Sequence, residues 1–268
     1  GAARHAADEV LHLTLQRLAR DMDTDNAEHA DSVLVFNPLP YPRREVVEAS
    51  VAVQPRLTGS DAAPAPGESS LLGPDGEARP FQVGGVSPHE RIFGVCHRIV
   101  FEADVPGFGC CRYRLCPGTP TPTAVQHRTS ISCTEHGAET ERWEIGFDPA
   151  TGALARLRDR DCGVRLLASP GIRGVVLEDR SDTWSHGVTR YDEPAGVFAG
   201  QGVRIVEHGP VRTIFRSFGR FEGSSLQMDT VLYPALPFID LVLVVDWRER
   251  PRILKLSVPT HVSAGTVT

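Results

Sequence analysis

The sequence predicts a mainly β protein: an antiparallel β-sandwich preceded by a small β domain and one N-terminal helix. Three observations predict this class. Apolar and polar residues alternate in many short segments, Pro- and Gly-rich turns separate these segments, and only one stretch has the spacing of an amphipathic helix. Connections of hairpin length without intervening helices favour antiparallel pairing over a parallel α/β sheet.

The helix is predicted over residues 4–22. Leu11, Leu15, Leu18 and Met22 are spaced by four, three and four residues, so their side chains lie on one face. The acidic, turn-prone residues 21–31 follow and are typical of a linker.

Strand patterns begin after this linker and continue along the chain. The first group is predicted at residues 32–38, 44–53, 79–85, 97–105 and 111–116. The second group is predicted at residues 143–147, from about 153, and at 172–178, 202–209, 211–223, 225–234, 238–247 and 252–259. Residues 238–247 are almost continuously apolar, which predicts a central strand covered on both faces.

Composition excludes some classes of function. The 268 residues include 28 basic and 34 acidic side chains, a net charge of −6, and no basic run, which argues against nucleic-acid binding. No apolar run approaches the roughly 20 residues of a membrane span, so no membrane contact is expected. The six cysteines are too sparse for a disulfide framework. We expect reduced thiols and favour a cytoplasmic location.

The segment Glu178–Glu193, EDRSDTWSHGVTRYDE, has the densest set of reactive side chains in the chain. Trp184 offers a flat apolar face to the C–H surface of a sugar ring. Asp182 and His186 offer an acceptor and a donor that fix hydroxyl groups. Tyr191 is the alternative aromatic residue. The sequence therefore predicts Asp182, Trp184, His186 and Tyr191 as substrate-binding residues.

Three other interpretations of this segment remain open. A metal site would draw on Asp179, Asp182, His186, Asp192 and Glu193. These include one His and no Cys, and the oxygen spacing of an EF-hand is missing. The second is an acid/base pair drawn from Asp179, Asp182 and Asp192. The third is a solvated loop without function.

The acids Asp240 and Asp246 do not form a glycosidase pair. Six residues along a strand span about 20 Å, whereas retaining hydrolysis needs carboxyl groups about 5–5.5 Å apart. The sequence predicts neither catalytic residues nor metal ligands in this chain.

Five phrases together resemble the region C-terminal to the catalytic domain in family 38 glycoside hydrolases, the α-mannosidases. Their order and spacing carry the resemblance along most of the chain. They are Val35–Glu48, Val105–Leu115, Trp143–Leu167, Arg180–Gly187 and Leu232–Pro259.

The resemblance implies a three-part enzyme: a zinc-binding α/β barrel, a three-helix domain and a C-terminal β region with a supersandwich similar to galactose mutarotase. It implies that residues 1–26 are the tail of the helical middle domain, 32–117 a small β linker domain and 130–268 a partial supersandwich. The one His-x-Asp phrase, His29-Ala30-Asp31, lies in the linker without the surroundings of the family's zinc pair. Zinc is therefore expected only in a catalytic domain outside this chain.

The resemblance implies a C-terminal fragment of a retaining, α-mannosidase-like hydrolase, with a packing and substrate-lining role and no activity alone. Its expected partner is an α-mannoside, bound through the intact enzyme. Self-association is expected through the apolar helix stripe and an unpaired strand edge. Two alternatives remain: a stand-alone carbohydrate-binding module, and a mutarotase-like epimerase with a His and a Glu at the anomeric carbon.

Overall fold

The computed structural model of the protein has a mainly β architecture. It describes residues 2–22, 31–53, 69–86, 95–117, 131–182, 184, 186–234 and 236–261. Strands account for 56% and helix for 9% of the structure. Every strand ladder among these residues is antiparallel. The predicted fold class, mainly β with antiparallel sheets and one helix, is confirmed. The chain divides into two compact units, residues 1–126 and 127–268.

The helix α1 (Ala2–Asp21) ends within one residue of its predicted boundary. Its predicted apolar face is largely open to solvent. Leu11 and Leu18 are 56% and 49% exposed, and Leu15 is half-buried. No helix in the described part of the chain is long and apolar enough to cross a membrane.

The remainder of the first unit is a small pair of sheets. Its strands are β1 (Asp31–Asn37), β2 (Arg43–Val53), β3 (Ser69–Leu72), β4 (Ala78–Arg79), β5 (Phe81–Val86), β6 (Val95–Val105) and β7 (Gly109–Pro117). One sheet has the order β1-β7-β3-β4 and the other β2-β6-β5. Phe101 of β6 and Tyr113 of β7 are fully buried, with ring centroids 4.8 Å apart. This contact joins the two sheets in one apolar core.

The second unit contains three sheets. Its strands are β8 (Ser132–Thr134), β9 (Gly137–Glu139), β10 (Trp143–Phe147), β11 (Leu154–Asp159), β12 (Arg173–Glu178), β13 (Pro194–Val197), β14 (Ala199–His208), β15 (Thr213–Phe221), β16 (Ser224–Leu232), β17 (Ile239–Asp246) and β18 (Arg252–Ser257). The sheet orders are β11-β10-β9-β8, β13-β12-β18 and β14-β15-β16-β17.

One face of the sheet β14-β15-β16-β17 supplies much of the core of the second unit. Phe215 of β15 is fully buried, and its ring centroid lies 4.8 Å from that of Phe147 on β10. Leu226 of β16 packs in a second cluster with Val176 of β12 and Phe198. The second unit therefore has the facing-sheet packing of a β-sandwich.

The side chain of Asp148 stabilises the turn between β10 and β11. The Asp148 carboxylate accepts the backbone N–H groups of Ala150 and Thr151 at 3.0 and 2.7 Å. Gly152 adopts a φ of 70°, which glycine tolerates without strain.

The prediction of a central, covered strand at residues 238–247 is wrong. Among the described strands, β17 pairs with β16 alone, which places it at the edge of its sheet. Val242 and Val244, on the face opposite the core, are 49% and 57% exposed. A continuous apolar run shows that both faces of a strand are apolar. It does not show whether other residues cover those faces.

Truncating a side chain to alanine on the two faces of β15 should lower the free energy of unfolding by different amounts. Phe215→Ala should lower the free energy of unfolding by about 3–5 kcal/mol, because it leaves a cavity in the core. Phe218→Ala, on the opposite face of the same strand, should cost less than about 1 kcal/mol. All three Trp residues lie in the second unit, so Trp fluorescence during urea unfolding measures both values. Equal costs at the two positions would contradict the assignment of the core face.

Candidate functional site

The candidate site is the long connection between the neighbouring antiparallel strands β12 and β13. The backbone N–H of Glu178 donates to the Glu193 carbonyl at 2.9 Å and closes the base of this loop. The N–H of Asp179 donates to the Pro251 carbonyl at 3.0 Å. The loop therefore starts and ends on a fixed sheet, although its described residues between the two strands form neither helix nor strand.

Arg252 of β18 holds the start of the loop. It lies opposite Glu178 in the β12–β18 ladder, and its Nε is 3.3 Å from the Glu178 carboxylate. Its Nη1 is 2.8 Å from Glu222, in the turn between β15 and β16. The hydrogen bond with Glu222 raises the pKa of Arg252 above its usual value, so the guanidinium remains charged.

Asp182 organises the tip of the loop. One oxygen of its carboxylate, Oδ1, accepts the backbone N–H groups of Trp184 and His186, both at 3.0 Å. The other oxygen, Oδ2, lies 2.8 Å from Nδ1 of His186. A single carboxylate thus fixes both the backbone and the imidazole, in the manner of an Asx turn.

The side chain of Trp184 projects into solvent. It is 80% exposed, the largest exposed fraction of any large apolar residue described. Asp182 and His186 are also exposed. The structure therefore places an indole face beside a carboxylate–imidazole pair on an open surface, an arrangement that can stack on a ring and exchange hydrogen bonds with its hydroxyl groups.

Tyr191 lies on the returning arm of the loop. Its hydroxyl is 3.4 Å from Ser181 Oγ, and the ammonium group of Lys255 lies 5.5 Å from its ring centroid. Ser181 also donates to Asp179 through its hydroxyl and its backbone N–H. These hydrogen bonds, led by that of the hydroxyl, hold the pKa of Asp179 below its usual value.

Comparison with known proteins identifies part of the chain. Residues 138–268 match the family described as "Glycosyl hydrolases family 38 C-terminal domain". The match covers 131 of the 268 residues. The predicted resemblance is confirmed for this region, which includes the whole candidate loop. No curated protein matches the chain.

Three acids of the candidate loop each lie beside a different basic side chain. Asp182 pairs with His186, Asp192 with Arg190 at 2.7 Å, and Glu193 with Arg180. Across the described residues, no three His, Cys, Asp or Glu side chains converge as a metal site would require. His29 of the His-x-Asp phrase lies outside the described residues.

The cysteine side chains that the structure describes are free thiols. They are Cys110, Cys111, Cys116, Cys133 and Cys162.

Two residues that frame the loop carry no local signal in the sequence. Lys255 and Arg252 lie about 60 residues or more beyond their loop partners Tyr191 and Glu178. They reach the loop because β18 pairs with β12. Opposite charges at matched positions of the two strands, Glu178 and Arg252, are the one signal that could have indicated this contact.

The geometry of Asp182 predicts how the loop tip responds to its removal. In Asp182→Ala, the backbone amides of Trp184 and His186 should exchange hydrogen about 5- to 10-fold faster, because each loses its acceptor. Asp192→Ala is the matched control, since Asp192 pairs with the Arg190 side chain. Hydrogen-exchange rates of these two amides, measured by NMR, are compared between the two variants and the wild type. Unchanged exchange in Asp182→Ala would mean that this carboxylate does not organise the tip.

Proposed function

We propose that this chain is the substrate-lining C-terminal region of a retaining, α-mannosidase-like glycoside hydrolase. In this proposal the loop with Asp182, Trp184, His186 and Tyr191 faces the sugar. The family 38 match supports a link to glycoside hydrolases. The mannoside substrate, the retaining mechanism and the role of the loop are our proposal.

The exposed indole of Trp184 is the observation that carries the proposal. Trp184 is 80% exposed, so its indole face is open to a ligand from solvent. The Asp182 carboxylate accepts the backbone N–H of Trp184, which restrains the backbone from which the indole projects. A sugar ring is a suitable partner, because its C–H face is apolar and its rim is polar.

The proposed role of the loop is to tune binding and not to break bonds. Retaining hydrolysis requires two carboxyl groups about 5–5.5 Å apart across the glycosidic bond. Asp179 is hydrogen-bonded to Ser181, and Asp182 is paired with His186. We therefore propose that the nucleophile, the acid/base and the zinc belong to a catalytic domain outside this chain.

The first test measures turnover. Residues 1–268 alone should not hydrolyse an aryl α-mannoside. In the longer enzyme that carries this chain, Trp184→Ala should lower kcat/KM by about 10- to 100-fold, since loss of stacking costs on the order of 1–3 kcal/mol. Trp184→Phe keeps a stacking face and should retain most of the activity.

Two results of this test would contradict the proposal. Zinc-dependent turnover by residues 1–268 alone would show that the catalytic groups are in this chain. An unchanged kcat/KM in the longer enzyme with Trp184→Ala would mean that the loop is a solvated segment with no role in substrate binding. Zinc content should be the same in all variants, which separates loss of stacking from loss of the metal.

A stand-alone carbohydrate-binding module is the second candidate, and the same exposed Trp184 favours it. The two candidates differ in what residues 1–268 do alone. A module should bind methyl α-mannoside at millimolar concentration and protect Trp184 from quenching by acrylamide, whereas a lining segment should not. Trp143 is only 7% exposed, so the quenching signal reports mainly the more exposed indoles. Trp184→Phe removes the signal of the loop and serves as the control.

We also propose that the chain self-associates through the edge of β17. The exposed Val242 and Val244 lie on a strand that pairs with β16 alone among the described strands. An exposed apolar edge strand is a template for pairing with another chain.

A charge on this edge should prevent association. Val244→Lys should shift the protein toward monomer in sedimentation velocity, because a lysine opposes edge-to-edge pairing. The control is Gln227→Lys, at the cross-strand partner of Val244 on the interior strand β16, which should leave the association unchanged. A wild-type protein that sediments as a monomer at all concentrations would contradict the proposal.

A further inference from the structure

A half-open cavity of about 180 Å³ lies in the second unit. It adjoins both apolar clusters of that unit. Ile172 and Met228 come from the first cluster, and Phe198 and Leu226 from the second. None of the predicted sugar-binding residues lines it.

Close backbone contacts form the rim of the cavity. A Cβ atom on Gly200 would lie 1.8 Å from the Thr151 carbonyl oxygen, and one on Gly152 would lie 2.1 Å from the Gly202 carbonyl oxygen. The turn before β11 is therefore packed directly on the backbone of β14. Such a rim cannot swing inward to fill the space, as a long flexible side chain could.

The lining of the cavity carries one charge. Arg173, at the start of β12, is the single ionisable residue among the residues that line it. Its side chain is exposed, and within the described part of the chain it makes no ion pair. The lining also includes the hydroxyl of Ser217, which is 7% exposed and has a long hydrogen bond of 3.4 Å to the Met228 carbonyl. The lining residues of the cavity thus combine apolar walls with an exposed arginine and a buried hydroxyl.

We propose that this cavity binds a small aromatic carboxylate. An apolar cavity of about 150 Å³ is large enough for benzene, so the present one accommodates a single six-membered ring. The guanidinium of Arg173 matches a carboxylate in charge and can form two parallel hydrogen bonds with it. Neither the family 38 match nor the proposed sugar site requires this ligand, so the inference stands apart from both.

The two methionines of the chain provide a direct test. Met228 lines the cavity and Met22 follows α1 in the other unit. Protein labelled with ¹³C at the methionine methyl groups should therefore give two signals. Benzoate should shift the Met228 signal in a saturable manner, with a Kd on the order of 1 mM for a ligand of this size. The Met22 signal should not move.

Two comparisons isolate the role of the charge. Benzyl alcohol, which has the same ring and no charge, should bind at least about 10-fold more weakly than benzoate. Arg173→Gln should weaken benzoate binding by a similar factor, since the bidentate contact is lost. Arg165→Gln removes an exposed arginine that does not line the cavity and should leave binding unchanged.

A cavity-filling variant tests the location. Ala153→Leu should abolish the Met228 shift, because the larger side chain occupies the space of the ring. Should this variant fail to fold, the surface variant Arg173→Gln still decides the question. Three results would overturn the proposal: no saturable shift of Met228 with benzoate, equal affinity for benzyl alcohol, or unchanged benzoate binding by Arg173→Gln.

Discussion

Arg252 joins three stretches of the second unit that are far apart in the sequence. Its guanidinium contacts Glu178 at the end of β12, Glu222 in the turn between β15 and β16, and Glu249 before β18. The same group lies 5.4 Å from the ring centroid of Phe221. Glu249 also accepts hydrogen bonds from that turn, which ties it to the same point. A planar guanidinium suits this position because it can donate in several directions at once.

The candidate loop depends on this junction. It leaves β12 at the residue that Arg252 holds, and it returns beside β12 on β13, so both ends are fixed by sheet pairing. Within this frame, the carboxylate of Asp182 arranges the tip, and Trp184 is left facing solvent. The exposed contact between Asp182 and His186 contributes little to stability in water. Its effect is to hold the imidazole in one orientation at the loop tip.

Local patterns predicted much of this fold, because hydrophobic periodicity and turn residues are properties of neighbouring positions. The helix and the strand at residues 111–116, which is part of β7, follow from such patterns. Sheet order does not, because it depends on contacts between distant segments. The sequence of β17 therefore suggested a central strand, while the structure places it at an edge. The loop residues could be chosen by their chemistry, but the support that Lys255 and Arg252 give them comes from β18, which only the folded chain brings near.

The central claim is that Trp184 is a sugar-facing residue of a glycoside hydrolase. A crystal structure of the longer enzyme that carries this chain, with a mannose-derived inhibitor bound, tests the claim most directly. The account predicts the indole of Trp184 within about 4.5 Å of carbon atoms of the sugar ring, with the Asp182–His186 pair hydrogen-bonded to a sugar hydroxyl. An inhibitor bound in the catalytic domain, with Trp184 still facing solvent, would contradict it.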